Sequence, residues 1–188
     1  ALAEAELAAK LPLSAGQRED LTHLPIVAID PTDARDHDDA IWAAPDADPG
    51  NPGGYRAVVA IADVSFYVRR GGEVDREARR RGNSVYFPDR VVPMLPHVLS
   101  SDVCSLKEGA DRAAMACHLV IDGEGRVKAW RFARALVRIA KVIAYEDAQA
   151  AMDAAKPPPL QGRGLGEGPV EQAPLEANKP HPNPSPEG

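Results

Sequence analysis

The sequence contains few cysteines and no long apolar run. Its two cysteines, Cys104 and Cys117, are too few and too far apart for a disulfide framework or a CxxC zinc site, so we expect reduced, buried thiols without a disulfide partner. No apolar stretch reaches the roughly 18 residues of a membrane span, and the first residues do not resemble a secretory signal. These absences predict a cytoplasmic protein with no membrane partner.

Basic residues are also in the minority. The chain has 22 lysines and arginines against 28 aspartates and glutamates, a formal net charge of −6. This balance argues against nonspecific adhesion to nucleic acid, although carboxylates that hold a metal would supply much of the acidity. Net charge alone therefore does not exclude an RNA substrate.

The composition divides the chain near Lys156. Nine of the 18 prolines lie in residues 156–188, which have almost no large apolar side chains. Such a segment cannot bury a core, so we expect one globular unit over residues 1–155 and a disordered Pro/Gly-rich tail over 156–188.

The globular unit alternates between short apolar runs and helical patterns. Strands are predicted at 24–29 and 55–62, a helix at 73–81, a β-hairpin at 114–121 and 127–139, and a closing helix around 145–152. These elements predict a mixed α/β (α+β) fold with a central mixed or antiparallel sheet and flanking helices. Asp63 follows the second strand, as a cap of the next loop or as a site residue.

Five carboxylates crowd the ten residues that follow the first strand, at Asp30, Asp33, Asp36, Asp38 and Asp39. Two carboxylates about 4 Å apart repel by roughly 4 kcal/mol at an effective dielectric near 20, so such a cluster favours a bound cation. Hard oxygen ligands suit Mg²⁺, with Mn²⁺ as the alternative. We expect Asp30 at the strand end, and Asp36, Asp38 and Asp39 on a loop or first helical turn, to surround one or two metal ions, with Asp33 as a turn residue.

Three other interpretations of the cluster compete with a metal site of this kind. An EF-hand is poorly supported, because its central glycine and distal glutamate are missing. The pair His37-Asp38 also occurs in metal-dependent phosphohydrolases of the HD type, and an acidic surface loop would give the same composition. The alternative functions are therefore a phosphohydrolase of small nucleotides and a protein without this chemistry.

Several segments, in one order, resemble the catalytic (RNB) domain of the ribonuclease II / ribonuclease R family. They are residues 28–40 (AIDPTDARDHDDA), 59–65 (VAIADVS), 84–90 (SVYFPDR), 93–96 (PMLP), 99–100 (LS) and 104–106 (CSL). The resemblance covers roughly residues 18–153. It implies an incomplete RNB-like fold, because only the N-terminal half of such a domain is matched.

The resemblance also implies a function. Members of this family are processive, hydrolytic 3′-5′ exoribonucleases that use Mg²⁺ and release nucleoside 5′-monophosphates from single-stranded RNA. By position, Asp30, Asp36, Asp38 and Asp39 match the acidic residues, with Asp38 tied to the chemical step. Tyr86 matches an aromatic residue that stacks on the 3′-terminal nucleotide, and Tyr145 one that contacts RNA.

The unmatched half of the domain limits the expected activity. In the family that half supplies an arginine and a glutamate beside the scissile phosphate, and nothing after Lys156 resembles it. We therefore expect a fragment with little or no processive activity, with a catalytically inactive remnant that binds metal or RNA as the alternative. An incomplete domain should also leave apolar sheet surface uncovered, which predicts self-association.

Overall fold

The computed structural model describes residues 1–13 and 17–155. The helices are α1 (Leu2–Ala8), α2 (Val64–Tyr67), α3 (Glu73–Arg81) and α4 (Tyr145–Ala154), and a π-helical turn spans Leu99–Val103. The strands are β1 (Glu19–Asp20), β2 (Ile26–Asp30), β3 (Asp39–Pro45), β4 (Tyr55–Ala62), β5 (Val85–Tyr86), β6 (Val91–Val92), β7 (Asp111–Ile121) and β8 (Val127–Ala144). Among these described helices, none has both the length and the hydrophobicity to cross a bilayer. The predicted tail over 156–188 lies outside the described residues.

Six of the strands form one mixed sheet that closes on itself. Strands β2, β3, β4 and β7 follow one another in antiparallel pairs, and β8 pairs with β7 on one side and with β2 on the other. Strand β8 can do so because it has 18 residues: 127–138 run antiparallel to β7, and 139–144 run parallel to β2. The prediction of a mixed α/β fold with a central mixed sheet is confirmed, whereas the closure of the sheet was not predicted.

The interior of this ring is filled mainly by small side chains. Along β4 the alternation is regular, since Val58, Ala60 and Ala62 are buried while Ile61 between them is 46% exposed. Opposing strands add further buried alanines, namely Ala28, Ala40, Ala114, Ala116 and Ala135. Because side chains from every strand meet inside a ring of few strands, alanine and valine fill it without clashes.

The outer surface of the same strands is apolar and open. Ile41 on β3 is in register with Val59 on β4, and the row continues through Cys117 on β7 to Phe132 on β8. Phe132 and Trp130 are 64% and 65% exposed, with ring centroids 5.4 Å apart. The uncovered apolar sheet surface expected from the sequence is therefore present, in the part of the chain that the structure describes.

A second buried cluster joins the helices to the π-helical turn. Ala5 of α1, Val74 of α3 and Leu99 of the turn pack together with Tyr67 and Cys104. Helix α3 has the predicted bounds, with acidic residues in its first turn and arginines in its last. This cluster fixes the π-helical turn near the loop that carries Asp36 and Asp38.

One prediction about the acidic segment was wrong. Asp36 and Asp38 lie on a loop as expected, but Asp39 is the first residue of β3 and is paired with Ile61 of β4. The strand was missed because its two large apolar residues, Ile41 and Trp42, are adjacent and therefore lie on opposite faces, so the sequence shows no alternation of large apolar and polar residues.

Candidate active site

The acidic segment lies at one end of the closed sheet, where it connects β2 to β3. Asp30 ends β2 and Asp39 begins β3, and the loop between them is tied down by its backbone. The Leu106 N–H donates to the His37 carbonyl at 2.8 Å, and the Ala62 N–H donates to the Asp38 carbonyl, also at 2.8 Å. These two hydrogen bonds fix the backbone of the loop, and with it the positions from which the acidic side chains project.

A histidine holds the first carboxylate. His37 Nδ1 donates to Asp30 Oδ2 at 2.6 Å, and both side chains are largely buried. The His37 backbone N–H donates to Ser105 Oγ at 3.0 Å, so the backbone that carries the ring is also held in place. Sequence reasoning missed this contact, and the seven-residue spacing gives no local signal for it.

The charges of the acidic residues converge on Asp38. Protein packed around the Asp38 carboxyl group removes part of its hydration and raises its pKa, although the residue remains solvent-exposed. The neighbouring charges of Asp36, Asp39 and Asp30 raise this pKa further, and His37 opposes them. Four carboxylates therefore share a small region in which a cation would relieve their repulsion.

Tyr86 lies across from the acidic loop on a short hairpin. The two strands of the hairpin, β5 and β6, pair Tyr86 with Val91. The Tyr86 hydroxyl donates to Asp36 Oδ2 at 2.8 Å, and this hydrogen bond is the main reason for its raised pKa. Tyr86 is 64% exposed, so much of its ring is accessible to a ligand while the hydroxyl group is held by Asp36.

A cavity of about 370 Å³ opens between these groups. Its lining comprises Asp36, Asp38, Ile61, Ala62, Val64, Ser84, Tyr86, Met94, Leu95, Ser100 and Cys104. The volume is at the lower end of the range for small-molecule sites, roughly 300–1,000 Å³. Burial raises the pKa of the Cys104 thiol to about 12, so this cysteine is an apolar wall rather than a nucleophile.

The second predicted aromatic residue lies beside the acids but outside the cavity. Tyr145 begins α4 directly after Ala144, which is the strand partner of Asp30. Its side chain is 53% exposed. The structure therefore places Tyr145 next to the end of β2, in a different position from Tyr86.

The donor set suits a hard divalent cation, although the carboxylates do not surround one point. Within residues 1–13 and 17–155, no group of three or more Asp, Glu, His or Cys side chains is arranged to hold one ion. Asp30 faces His37, and Asp36 faces Tyr86. Mg²⁺ commonly takes only one or two carboxylates, completing its shell with water and substrate phosphate. The neighbouring negative charges of Asp36, Asp39 and Asp30 around Asp38 are the feature that fits this ion.

Comparison with known protein families identifies the chain. Residues 18–170 match the RNB domain, which is most of the sequence. The chain belongs to the RNB domain family. The resemblance inferred from the sequence motifs is thereby confirmed.

Curated relatives in the RNB family are much longer than this chain. Ribonuclease R of Escherichia coli (strain K12) is 49% identical over 120 residues, which are 64% of this chain and 14% of the relative. Ribonuclease R of Acidithiobacillus ferrooxidans is 43% identical over 158 residues, covering 79% of this chain and 35% of the relative. The chain therefore matches only part of each relative.

Solved structures show the same relationship to the RNB fold. RNase R of Mycoplasma genitalium in complex with ribose methylated single-stranded RNA has a TM-score of 0.73 and 33% identity, over 85% of this chain and 25% of that one. Yeast Ssd1, a pseudonuclease, has a TM-score of 0.66 over 76% of this chain and 18% of its own. At 23% identity, Ssd1 extends the likeness in fold alone.

Proposed function

We propose that this chain carries the carboxylate part of a hydrolytic, Mg²⁺-dependent 3′-5′ exoribonuclease site, which acts on single-stranded RNA in the cytoplasm and releases nucleoside 5′-monophosphates. The observation that carries the proposal is the convergence of three carboxylate charges on Asp38 at the wall of a cavity. Membership of the RNB family and the likeness to ribonuclease R support it.

Each predicted site residue has a role in this proposal. Asp30, Asp36, Asp38 and Asp39 would hold the cations, with Asp38 nearest to the chemical step. When bound, Mg²⁺ or Mn²⁺ would activate the attacking water and stabilise the leaving oxygen. Tyr86 offers its exposed ring to the 3′-terminal base, a contact that any base can make.

Tyr145 would contact the RNA from a second direction. Tyr145 is the first residue of α4, and its side chain is exposed. The residue follows Ala144, the strand partner of Asp30, so it would reach the acids from the side where β2 and β8 end. We assign it no part in the chemical step.

The alternative, a chain that binds metal or RNA without cleaving it, is favoured by one feature of the cavity. None of the described residues that line it is a lysine or an arginine. A preorganised donor beside developing negative charge is commonly worth roughly 10²–10³ in rate. Turnover by this chain alone should therefore be slow.

The test follows a single-stranded RNA in Mg²⁺, labelled in one sample at the 5′ end and in another at the 3′ end. Cleavage from the 3′ end predicts early release of labelled mononucleotide in the 3′ sample and progressive shortening in the 5′ sample. EDTA and Asp38→Asn should both stop the reaction. Asp33→Asn is the matched control, because Asp33 belongs to the same loop but does not line the cavity.

The other outcomes separate the alternatives. Intact RNA that still shifts on a gel would establish binding without cleavage and overturn the nuclease for this chain. Hydrolysis of free nucleotides while RNA is spared would establish the phosphohydrolase. Equal activity of Asp38→Asn and the unaltered chain would remove the acidic cluster from the mechanism.

A further inference from the structure

Ser100 occupies an unusual backbone position at the cavity wall. It is the second residue of the π-helical turn, in which the Cys104 N–H donates to the Leu99 carbonyl at 2.9 Å. Both ends of the turn are fixed, because Leu99 and Cys104 are 0% and 2% exposed. Single π-helical turns are rare in proteins, and those that do occur are often found at functional sites.

The hydroxyl group of Ser100 is buried and has no hydrogen-bond partner among residues 1–13 and 17–155. Neighbouring serines differ: Ser84 Oγ, also at the cavity, accepts from the Met94 N–H at 2.9 Å, and Ser101 Oγ is 3.2 Å from His97 Nδ1. An unpaired buried hydroxyl lowers the stability of the folded state. Because Ser100 also lines the cavity, rotation about χ1 would let this hydroxyl group pair with a ligand there.

The remaining walls define what Ser100 would bind. Asp36 and Asp38 lie where cations would hold a phosphate, and Tyr86 offers a ring to a base. The rest of the lining around Ser100 is mostly apolar, so it offers little to the hydroxyl groups of the sugar between base and phosphate. A serine hydroxyl both donates and accepts, and rotation about χ1 redirects it.

We propose that the Ser100 hydroxyl hydrogen-bonds a ribose hydroxyl of the nucleotide held in this cavity. This inference rests on the proposed function, because it takes the cavity to be the site of the terminal nucleotide. It assigns to Ser100 a part in selecting ribonucleotides over nucleotides that lack that hydroxyl.

The proposal separates affinity from stability. Replacing a well-paired structural serine by alanine destabilises a fold, whereas Ser100→Ala removes a hydroxyl group that no described residue pairs with. The variant should therefore unfold at the same temperature as the unaltered chain or at a higher one, while it binds nucleotide more weakly. A purely structural serine would give the opposite pattern.

The experiment measures binding of AMP, 2′-deoxy-AMP and 3′-deoxy-AMP to the full chain in Mn²⁺ by equilibrium dialysis. Loss of one hydrogen bond predicts AMP binding weakened roughly three- to tenfold in Ser100→Ala. The same substitution should have little effect on the deoxy analogue that lacks the bonded hydroxyl. Ser101→Ala is the matched control and should bind all three ligands like the unaltered chain.

Each remaining result overturns the inference. Unchanged AMP binding by Ser100→Ala would do so, as would equal weakening for all three ligands or a clearly lower unfolding temperature. A chain that binds Mn²⁺ but not AMP would also overturn it, while leaving the proposed metal site intact. Failure to bind Mn²⁺ at all would instead overturn the proposed function.

Discussion

Arg18 and Asp63 form an ion pair inside the protein. Arg18 Nη2 lies 2.8 Å from Asp63 Oδ2, and the two side chains are 2% and 0% exposed. Arg18 Nη1 also donates to the carbonyls of Ala114 and Ala135, each at 3.4 Å, and Ser65 Oγ donates to Asp63 Oδ1 at 2.6 Å. Asp63 therefore ties strands together, and its side chain does not cap the helix that follows.

Replacing Asp63 by alanine should strongly destabilise the fold. The substitution leaves the Arg18 charge buried without a partner, which costs about 3–5 kcal/mol in the free energy of unfolding. Urea denaturation measures the loss. The control is Asp89→Ala, which removes an exposed partner of Arg90 and should cost at most about 0.5 kcal/mol. Equal losses in the two variants would contradict the importance of the buried pair.

The same pair predicts an acid dependence of stability. Burial raises the pKa of Asp63, but hydrogen bonds from Ser65 and Arg18 outweigh it and hold the pKa below its ordinary value of 3.8. As the pH falls, the Asp63 carboxylate is therefore protonated in the unfolded chain before it is protonated in the folded protein. The contribution of this carboxylate to stability is complete above about pH 4 and is lost as the pH falls through its pKa in the folded protein. Melting temperatures between about pH 6 and 3 should fall less steeply for Asp63→Asn than for the unaltered chain. Parallel curves would contradict this.

Asp38→Asn should stabilise the metal-free protein. It removes a charge that three other carboxylates repel, a gain of about 0.5 kcal/mol after solvent screening. The unaltered chain should gain stability when Mn²⁺ is added, since binding to the folded state raises the unfolding free energy, and the variant should gain much less. Thermal unfolding with and without Mn²⁺ checks both effects. An equal rise in unfolding temperature on adding Mn²⁺ to the two proteins would contradict the role of Asp38.

His37→Ala should weaken metal binding without removing a predicted ligand. The His37 ring orients the Asp30 carboxylate, and loss of such supporting hydrogen bonds commonly costs 10- to 100-fold in metal affinity, so we expect about tenfold. Calorimetric titration with Mn²⁺ measures the change. His23→Ala, at an exposed position, is the control. Unchanged affinity in His37→Ala would show that Asp30 needs no support.

The outer apolar surface should cause self-association. Trp130 and Phe132 present neighbouring rings to solvent, and burying them between two copies is favourable. Sedimentation velocity should show species that grow with concentration, and Trp130→Ser with Phe132→Ser should shift them toward monomer. Leu7→Ser, on exposed α1, should not. A monomer at every concentration would contradict the expectation.

Local patterns were sufficient for much of the fold. The strand at 55–62 and the helix at 73–81 have the predicted bounds, and the hairpin of β7 and β8 joins around Asp122 as expected. Each of these elements carries its signal within a few residues: apolar alternation, charge order or a turn sequence. The acidic cluster was predicted from the local density of aspartates, whereas the role of Tyr86 came only from the resemblance to the RNB family.

Features that depend on distant partners were not predicted. The bond between Arg18 and Asp63 joins positions 45 residues apart, and nothing near either residue indicates the other. The pairing of β8 with two strands is likewise set by how the chain curves in three dimensions. Ser100 appeared only as part of the matching segment 99–100 and was assigned no role, because a serine in a loop is ordinary until its surroundings are known.

The double pairing of β8 has a consequence for the order of folding. Ala144 meets Asp30 across more than a hundred residues of intervening chain, and such distant contacts form late because closing a long loop is entropically costly. Hairpins such as β7 with β8 can assemble earlier without bringing the end of β2 into place. Metal affinity should therefore emerge only in the last kinetic phase, making a bound ion a reporter of completed folding.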